Sequence, residues 1–364
     1  VNSLKNITTE AQRHKVLFAK TIITVFLCVS VSLWQTSCSS NSAKRKLVVY
    51  SPHGKEMLSA FEKQFEANYP NVDVQWLDMG SQDAYDRIRT ERENPQADIW
   101  WGAPLTTFAK AEAESLLERY TPSWDNAVSA EFKSANGFWY GTFATPEVIM
   151  YNNRLLSEAD APKDWDELLE PKWRNKIIIR NPIASGTMRI IFSSLIQREA
   201  ARAGNVDAGF AWLRKLDANT KTYAADPTQL YLKIAREEGV VTVWNLPDVV
   251  LQAQTNGYPF GYVIPKSGTP LITDCIAIVR GTKNRKEAEL FYELVTSKEA
   301  MIQQAIKFFR IPARSDIPKN DMPDWIRSLA FAPMKIDWQA IEANEKAWMK
   351  RWDEEVKGKG KAGL

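Results

Sequence analysis

The stretch KIIIRNPIASGTMRIIFSSLIQRE, residues 176–199, decides how the chain is read. Ile177, Ile178 and Ile179 form a β-branched run suited to a buried strand, and Asn181-Pro182 stops it. Ser185 is then placed to cap a helix whose apolar positions are Met188, Ile191, Phe192, Leu195 and Ile196. Those positions keep the i, i+3, i+4, i+7, i+8 spacing of one buried stripe. Ser185-Gly186-Thr187 therefore sits where a strand hands over to a helix. The first N–H groups of a helix lack intrahelical partners, and the positive end of its dipole faces outward. Two hydroxyls and a glycine at that place make either an ordinary cap or a cradle for an anion. The residues alone leave both open.

The same alternation of short apolar runs and helical stripes extends in both directions. Upstream, strands are expected at 47–50, 72–77 and 97–101, with helices at 55–68, 82–92 and 105–117. That βαβαβα order implies a mostly parallel sheet covered by helices. Residues 137–152 differ: GFWYGTF and EVIMYNN are two extended runs with Ala144-Thr145-Pro146 between them, placed to carry the chain from one domain to another. A second α/β series then holds helices at 164–169, 207–216, 227–237 and 248–255 and strands at 240–244 and 260–264. Residues 272–279 read as a long apolar strand and a possible second crossing. Helices follow at 286–296, 298–306 and 338–352, and the Lys/Gly-rich end KGKGKAGL reads as frayed. The expected organisation is α/β and bilobal. One lobe is built from 46–143 plus 277–320, the other from 144–276, with a C-terminal helical segment at 321–364. Such a hinged pair presents strand C-termini and helix N-termini to an interlobe cleft, where open parallel sheets bind small ligands.

Charge and cysteines narrow the function classes. The 364 residues carry 47 Lys and Arg against 44 Asp and Glu. Residues 1–37 hold Lys5, Arg13, Lys15 and Lys20, opposed only by Glu10. An uncharged run at 21–34 follows, shorter than the ~20 residues of a comfortable membrane span and suited to a signal-peptide core. The remainder is formally neutral, with 43 basic and 43 acidic residues, so no general basic field points to nucleic acid. Gln35-Thr36-Ser37-Cys38, ahead of a polar tract, resembles a bacterial lipoprotein cleavage site, which implies a lipid on Cys38. The lipoprotein pattern has Leu where Gln35 stands, and plain secretion or an uncleaved anchor stay open beside it. Cys28 lies in the apolar run, which leaves Cys275 alone in an apolar strand as a buried, inert thiol.

Five separated motifs occur in a familiar order: LVVYSPHGKE at 47–56, PQADIWWGAP at 95–104, PKWRNKIIIRNPIASGT at 171–187, YVIPKSGTPLITDCIAIVRGTKN at 262–284 and RIPAR at 310–314. Together they resemble extracellular solute-binding proteins of ABC importers, in the branch of periplasmic ferric-binding, phosphonate-binding and hexose-phosphate-binding proteins. The resemblance spans about 47–314. It implies a type II periplasmic-binding-protein fold with a two-strand hinge, no catalysis, no cofactor, and delivery of a small solute by a monomer to a permease in the inner membrane.

The ferric branch uses a His after the first strand, a Glu near the third strand and adjacent Tyr residues. Here His53 lies near the His place, Gly102-Ala103-Pro104 offers no carboxylate, and no Tyr-Tyr pair occurs. No metal site is therefore expected, and a small anionic solute, phosphorylated or a phosphonate, is favoured. Ferric iron held with exogenous anions, or a polyamine-type cation, is the alternative.

The candidate ligand-binding residues are Ser51, His53, Gly54, Trp101, Ser185, Gly186, Thr187, Asn245 and Asp248. The resemblance implies that Ser185, Gly186 and Thr187 surround an anion, with Ser51, His53 and Gly54 facing them from the other lobe. His53 either donates to a phosphoryl oxygen or caps its turn. Trp101 either stacks on a sugar face or packs in the core. Asn245 and Asp248 either bind polar groups or serve as a helix cap and a solvated acid. An enzyme reading finds no G-x-S-x-G, P-loop or H-E-x-x-H, and its only G-x-G-x-x-G is in the C-terminal tail, at 358–363. A ligand sensor acting on a membrane receptor is not separable from an importer by sequence.

Overall fold

The computed structural model describes residues 44–360. The segment expected to be an export signal, and Cys38 with it, lies outside the described residues. No helix among the described residues is long and apolar enough to cross a membrane.

The chain opens with β1 (Arg45–Ser51), a helix Lys55–Asn68, β2 (Val72–Asp78), a helix Ser81–Thr90, β3 (Ile99–Pro104) and a helix Leu105–Ala113. A short β4 (Leu117–Glu118) precedes β5 (Tyr140–Asn152). The second series contains β6 (Ile177–Arg180), helices Gly186–Ala203 and Asp207–Asn219, β7 (Thr220–Ala224), a helix Pro227–Ala235 and β8 (Val241–Asn245). A helix Leu246–Asn256, β9 (Phe260–Val263) and β10 (Leu271–Val279) follow. Helices Arg285–Thr296 and Lys298–Phe308, β11 (Ile311–Pro312) and helices Asp324–Ser328 and Trp338–Glu355 complete the chain.

The strands line up in the order β2-β1-β3-β10-β5-β8-β6-β7. β1 is parallel to β2 and β3, and β6 is parallel to β7 and β8, as helical crossovers require. β10 and β5 run antiparallel to their neighbours and to each other. The expected two lobes share β5. Its first half pairs with β10, ending at Pro146 opposite Leu271, and its second half pairs with β8, beginning at Glu147 opposite Asn245.

The sequence reading breaks the chain at Ala144-Thr145-Pro146. The structure instead runs one 13-residue strand through it. Proline's fixed φ suits extended backbone, and its missing N–H is tolerated where the strand changes partners. The crossing thus sets Glu147 at the junction of the lobes.

Each lobe has its own apolar core. In the first, β3 sends Trp101 to one face, among Phe61, Phe143 and Phe291, and Trp100 to the other, stacked on Phe108 at 4.1 Å between ring centroids. In the second, the Ile177–Ile179 run and the Met188, Ile191, Phe192, Leu195 and Ile196 stripe meet as their spacing predicts. The C-terminal helix joins that second core through Met349 and Trp352, the latter against Phe192 and Tyr223.

The tail is not frayed as far as Gly360. The N–H groups of Gly358 and Gly360 donate to the two oxygens of the buried Asp217 at 2.9 and 2.8 Å, and Tyr223 donates to the same carboxylate. Lysine and glycine composition signals solvation, but glycines also let main-chain N–H groups converge on an acid.

Candidate functional site

A cavity of about 660 Å³ lies where β5 changes partners, lined from both lobes. The first lobe supplies the turn after β1, the end of β2 and Arg310, and Asp274 of β10 stands at the junction. The second supplies the end of β6, the start of helix Gly186–Ala203, the turn after β7 and the start of helix Leu246–Asn256. Strand ends and helix starts converge there because both half-sheets are built from strand–helix units whose turns face the same gap.

Of the expected residues, His53, Gly54, Ser185, Thr187, Asn245 and Asp248 line the cavity. Three do not. Ser51 is fully buried behind the turn, where its hydroxyl accepts the His53 N–H at 3.2 Å. Trp101 is fully buried and offers no face to a ligand, because its strand is covered on both sides by aromatic side chains. Gly186 belongs to a seam between the lobes. A Cβ there would lie 3.0 Å from Pro104 Cδ and 3.1 Å from Ser81 Cβ.

The remaining six differ in what they have left to give. Ser185 is the helix cap, accepting the Met188 N–H at 3.3 Å, which leaves its own hydroxyl proton free to point elsewhere. His53 packs edge-on to Trp101 and Phe143, and its Nε2 has no partner among the described residues. Burial, and then Arg310, hold its pKa well below the usual 6.5, so the ring is neutral at pH 7. Gly102, at φ +103°, sits against this ring, and a Cβ there would fall 2.6 Å from His53 Nε2. Asn245 caps the Leu246–Asn256 helix by accepting from Asp248 N–H. Asp248 is no solvated acid. Tyr231, Trp244 and Asn245 donate to its Oδ2, and Arg310 pairs with its Oδ1 at 3.1 Å.

Sequence reasoning missed Glu147, Arg180, Asp274 and Arg310 as site residues. Arg180 is 3% exposed. Its terminal nitrogens donate to the carbonyls of Asn181, Ala184 and Ala224, its Nε is unpartnered, and no carboxylate pairs with it among the described residues. Glu147 is fully buried, and neither of its carboxylate oxygens has a partner among the described residues. Burial, then Asp274 and Asp248, push its pKa well above the usual 4.5. Asp274 is pushed up to about 6, mainly by burial, with Arg310 opposing the rise and Asp248 adding to it. A shared signal would have found three of the four. Arg180, Glu147 and Asp274 each interrupt or end an otherwise apolar strand, and a charge placed there is buried and needs a partner.

The balance of charge differs from the expectation of a purely anionic ligand. Seven carboxylates line the cavity, against Lys55, Arg180 and Arg310. The charges are interleaved: Asp226 and Asp83 act on Arg180, and Arg310 acts on Asp248 and Asp274. Arg180 and the Ser185 helix start stand on the second lobe, and Glu147 and Asp274 stand where the lobes join.

Residues 60–333 match the family model for bacterial extracellular solute-binding proteins, and the chain belongs to that family. It is 28% identical to the "Probable ABC transporter periplasmic-binding protein" of Sinorhizobium fredii, across 85% of this chain and 86% of that one. It is 26% identical to the "Putative 2-aminoethylphosphonate-binding periplasmic protein" of Salmonella typhimurium, across 91% and 96%. Among solved structures, the periplasmic binding protein AfuA from Actinobacillus pleuropneumoniae, with exogenous fructose-6-phosphate bound, superposes with a TM-score of 0.74. That likeness is at 23% identity and covers 86% of this chain and 99% of that one. The fold is the bilobal type II periplasmic-binding-protein fold, and the chain is a solute-binding protein.

Proposed function

We propose that the protein is the capture component of an ABC import system. In this reading it holds a small solute bearing a phosphoryl or phosphonyl group in the interlobe cleft and hands it to an inner-membrane permease. The observation that carries the reading is Arg180, a buried guanidinium in the cleft wall with no carboxylate within ion-pair distance among the described residues, Asp226 and Asp83 acting on it only from further off. A buried charge is retained at a cost unless something pairs with it, and bidentate oxyanions suit a guanidinium best. Ala184, whose carbonyl Arg180 touches, leads directly into Ser185 and Thr187 at the helix start. In this reading the arginine, the two hydroxyls and the first-turn N–H groups serve one oxyanion. His53 would face it from the first lobe with its unpartnered ring nitrogen. The names of the Salmonella and Actinobacillus proteins support an oxyanion of this class.

The reading includes monomeric capture, a lobe boundary near residues 143–144 and 276–277, and a lipid anchor on Cys38. A thermal-shift panel tests the ligand class, because a solute bound selectively to the folded state raises the unfolding midpoint. The panel holds 2-aminoethylphosphonate, fructose-6-phosphate, inorganic phosphate and ferric citrate. A rise with a phosphonate or phosphate ester supports the reading. A rise with ferric citrate alone, with a coloured complex, contradicts it.

A further inference from the structure

The carboxylate end of the cleft is unfinished in a way that Arg180 does not explain. Glu147 is fully buried at the point where β5 passes between the lobes, and both its oxygens lack partners among the described residues. Its main chain is fixed by Thr269: the Glu147 N–H donates to Thr269 Oγ1 at 3.1 Å, and the same hydroxyl donates to the Glu147 carbonyl. The side chain is therefore held in place, on a rigid strand, with nothing to receive. Arg310 pairs with Asp248 and also acts on Asp274, but it makes no ion pair or hydrogen bond to Glu147 among the described residues. Asp248 in turn has both oxygens occupied. Asp274 adds a second acid beside Glu147, with only a long 3.5 Å contact from Thr145. Among the described residues, no three His, Cys, Asp or Glu side chains are grouped to hold a metal ion.

Resting on the reading above, we infer that Glu147, assisted by Asp274, receives a protonated amine on the solute, so that the ligand is a zwitterion. Its oxyanion sits at Arg180 and Ser185, and its ammonium at the β5 crossing. An ammonium brings three donors and a compact charge, which two buried acids with free lone pairs can accept. A neutral hydroxyl brings one donor and no charge. It would do nothing to balance the negative charge of the pair. The acidic surplus of the cleft is then a recognition device for the cationic end of a small amphoteric solute.

The test uses putrescine and three phosphonates that differ only at the end distal to phosphorus: 2-aminoethylphosphonate, 2-hydroxyethylphosphonate and ethylphosphonate. They are titrated calorimetrically into the full mature protein and into Glu147→Gln. The wild type should prefer the amino compound over the hydroxy compound by at least about tenfold. In Glu147→Gln that ratio should fall to near one, with the variant's far-UV circular dichroism and cooperative melt confirming that it is folded. Equal affinity for the three phosphonates in the wild type, or an unchanged ratio in the variant, overturns the inference while leaving the phosphonate reading standing. Binding of putrescine, abolished by Glu147→Gln, with no response to any phosphonate, supports the amine site and overturns the oxyanion reading. Failure of every amine-bearing probe to bind overturns the inference outright.

Discussion

Individual side chains around this cleft are told apart by whether they reach it. Trp101 and His53 touch each other, and each has a ring nitrogen without a partner among the described residues, but only His53 lines the cavity while Trp101 is packed behind it. Replacing Trp101 by Ala should therefore act as a core deletion, costing about 3–5 kcal/mol in urea unfolding. A ligand-platform role would instead show as lost affinity at unchanged stability.

Asp274 makes a prediction in pH. Its folded carboxyl titrates at about 6, above its ordinary 3.8, so the folded apo protein holds that proton more tightly than the unfolded chain. The sign follows directly: the contribution is fully present below about pH 4 and is lost as pH rises through about 6. The difference in unfolding free energy between Asp274→Asn and wild type should shift toward the variant across that window, on the order of 1–3 kcal/mol. Glu147 acts in the same direction, because burial raises its pKa as well. A difference that is flat from pH 4 to 6.5 would mean that Asp274 is not buried in the empty protein.

At the scale of elements, periodicity was a sound guide wherever a helix or strand buried one face. The helix at Lys55–Asn68 has its expected bounds, and Met57, Leu58, Phe61 and Phe65 are its buried residues. The helix after Ser185 begins at its expected cap. Several elements escaped, β4, β11 and the helix Asp324–Ser328 among them, and two others show why. β7, TKTYA, is a short edge strand with only its end residues buried, and it lacks the apolar run that marks a strand. β5 was divided because proline usually ends a strand. Its continuity comes from the partner change at Pro146, which no local rule contains.

The site was legible only where it sits on helix starts and turns. Glu147, Arg180, Asp274 and Arg310 come from four separate segments, and only the crossing of β5 between the lobes brings them to one cavity. The C-terminal tail behaves as an element too. Asp217→Ala removes the acceptor for Gly358, Gly360 and Tyr223 together. It should destabilise the protein by about 2–4 kcal/mol and expose residues 357–360 to exopeptidase digestion, read by mass spectrometry. Unchanged digestion would mean that the tail is held by other contacts.

For the whole molecule, the two lobes share one continuous strand and meet again at a seam where Gly186 faces Pro104 and Ser81. A solute bridging Arg180 and Glu147 stabilises the lobes in contact, by its differential affinity for that arrangement. Gly186→Val should hold the seam apart and weaken solute binding roughly 10-fold or more, by analogy with binding taxed by a depleted competent state. The unfolding midpoint of the empty protein should be little changed, since the substitution lies between lobes and not within a core. Wild-type affinity in Gly186→Val would show that capture does not need the seam.

The central claim is that one small solute spans the cleft, with its oxyanion against Arg180 and Ser185. A diffraction structure of crystals grown with 2-aminoethylphosphonate tests it most directly. The account predicts phosphonate oxygens within 2.7–3.2 Å of the Arg180 guanidinium and the Ser185 hydroxyl, with the carbon chain directed toward Glu147. Phosphonate density outside the cleft, or the phosphonate reversed onto the Glu147 side, would contradict it.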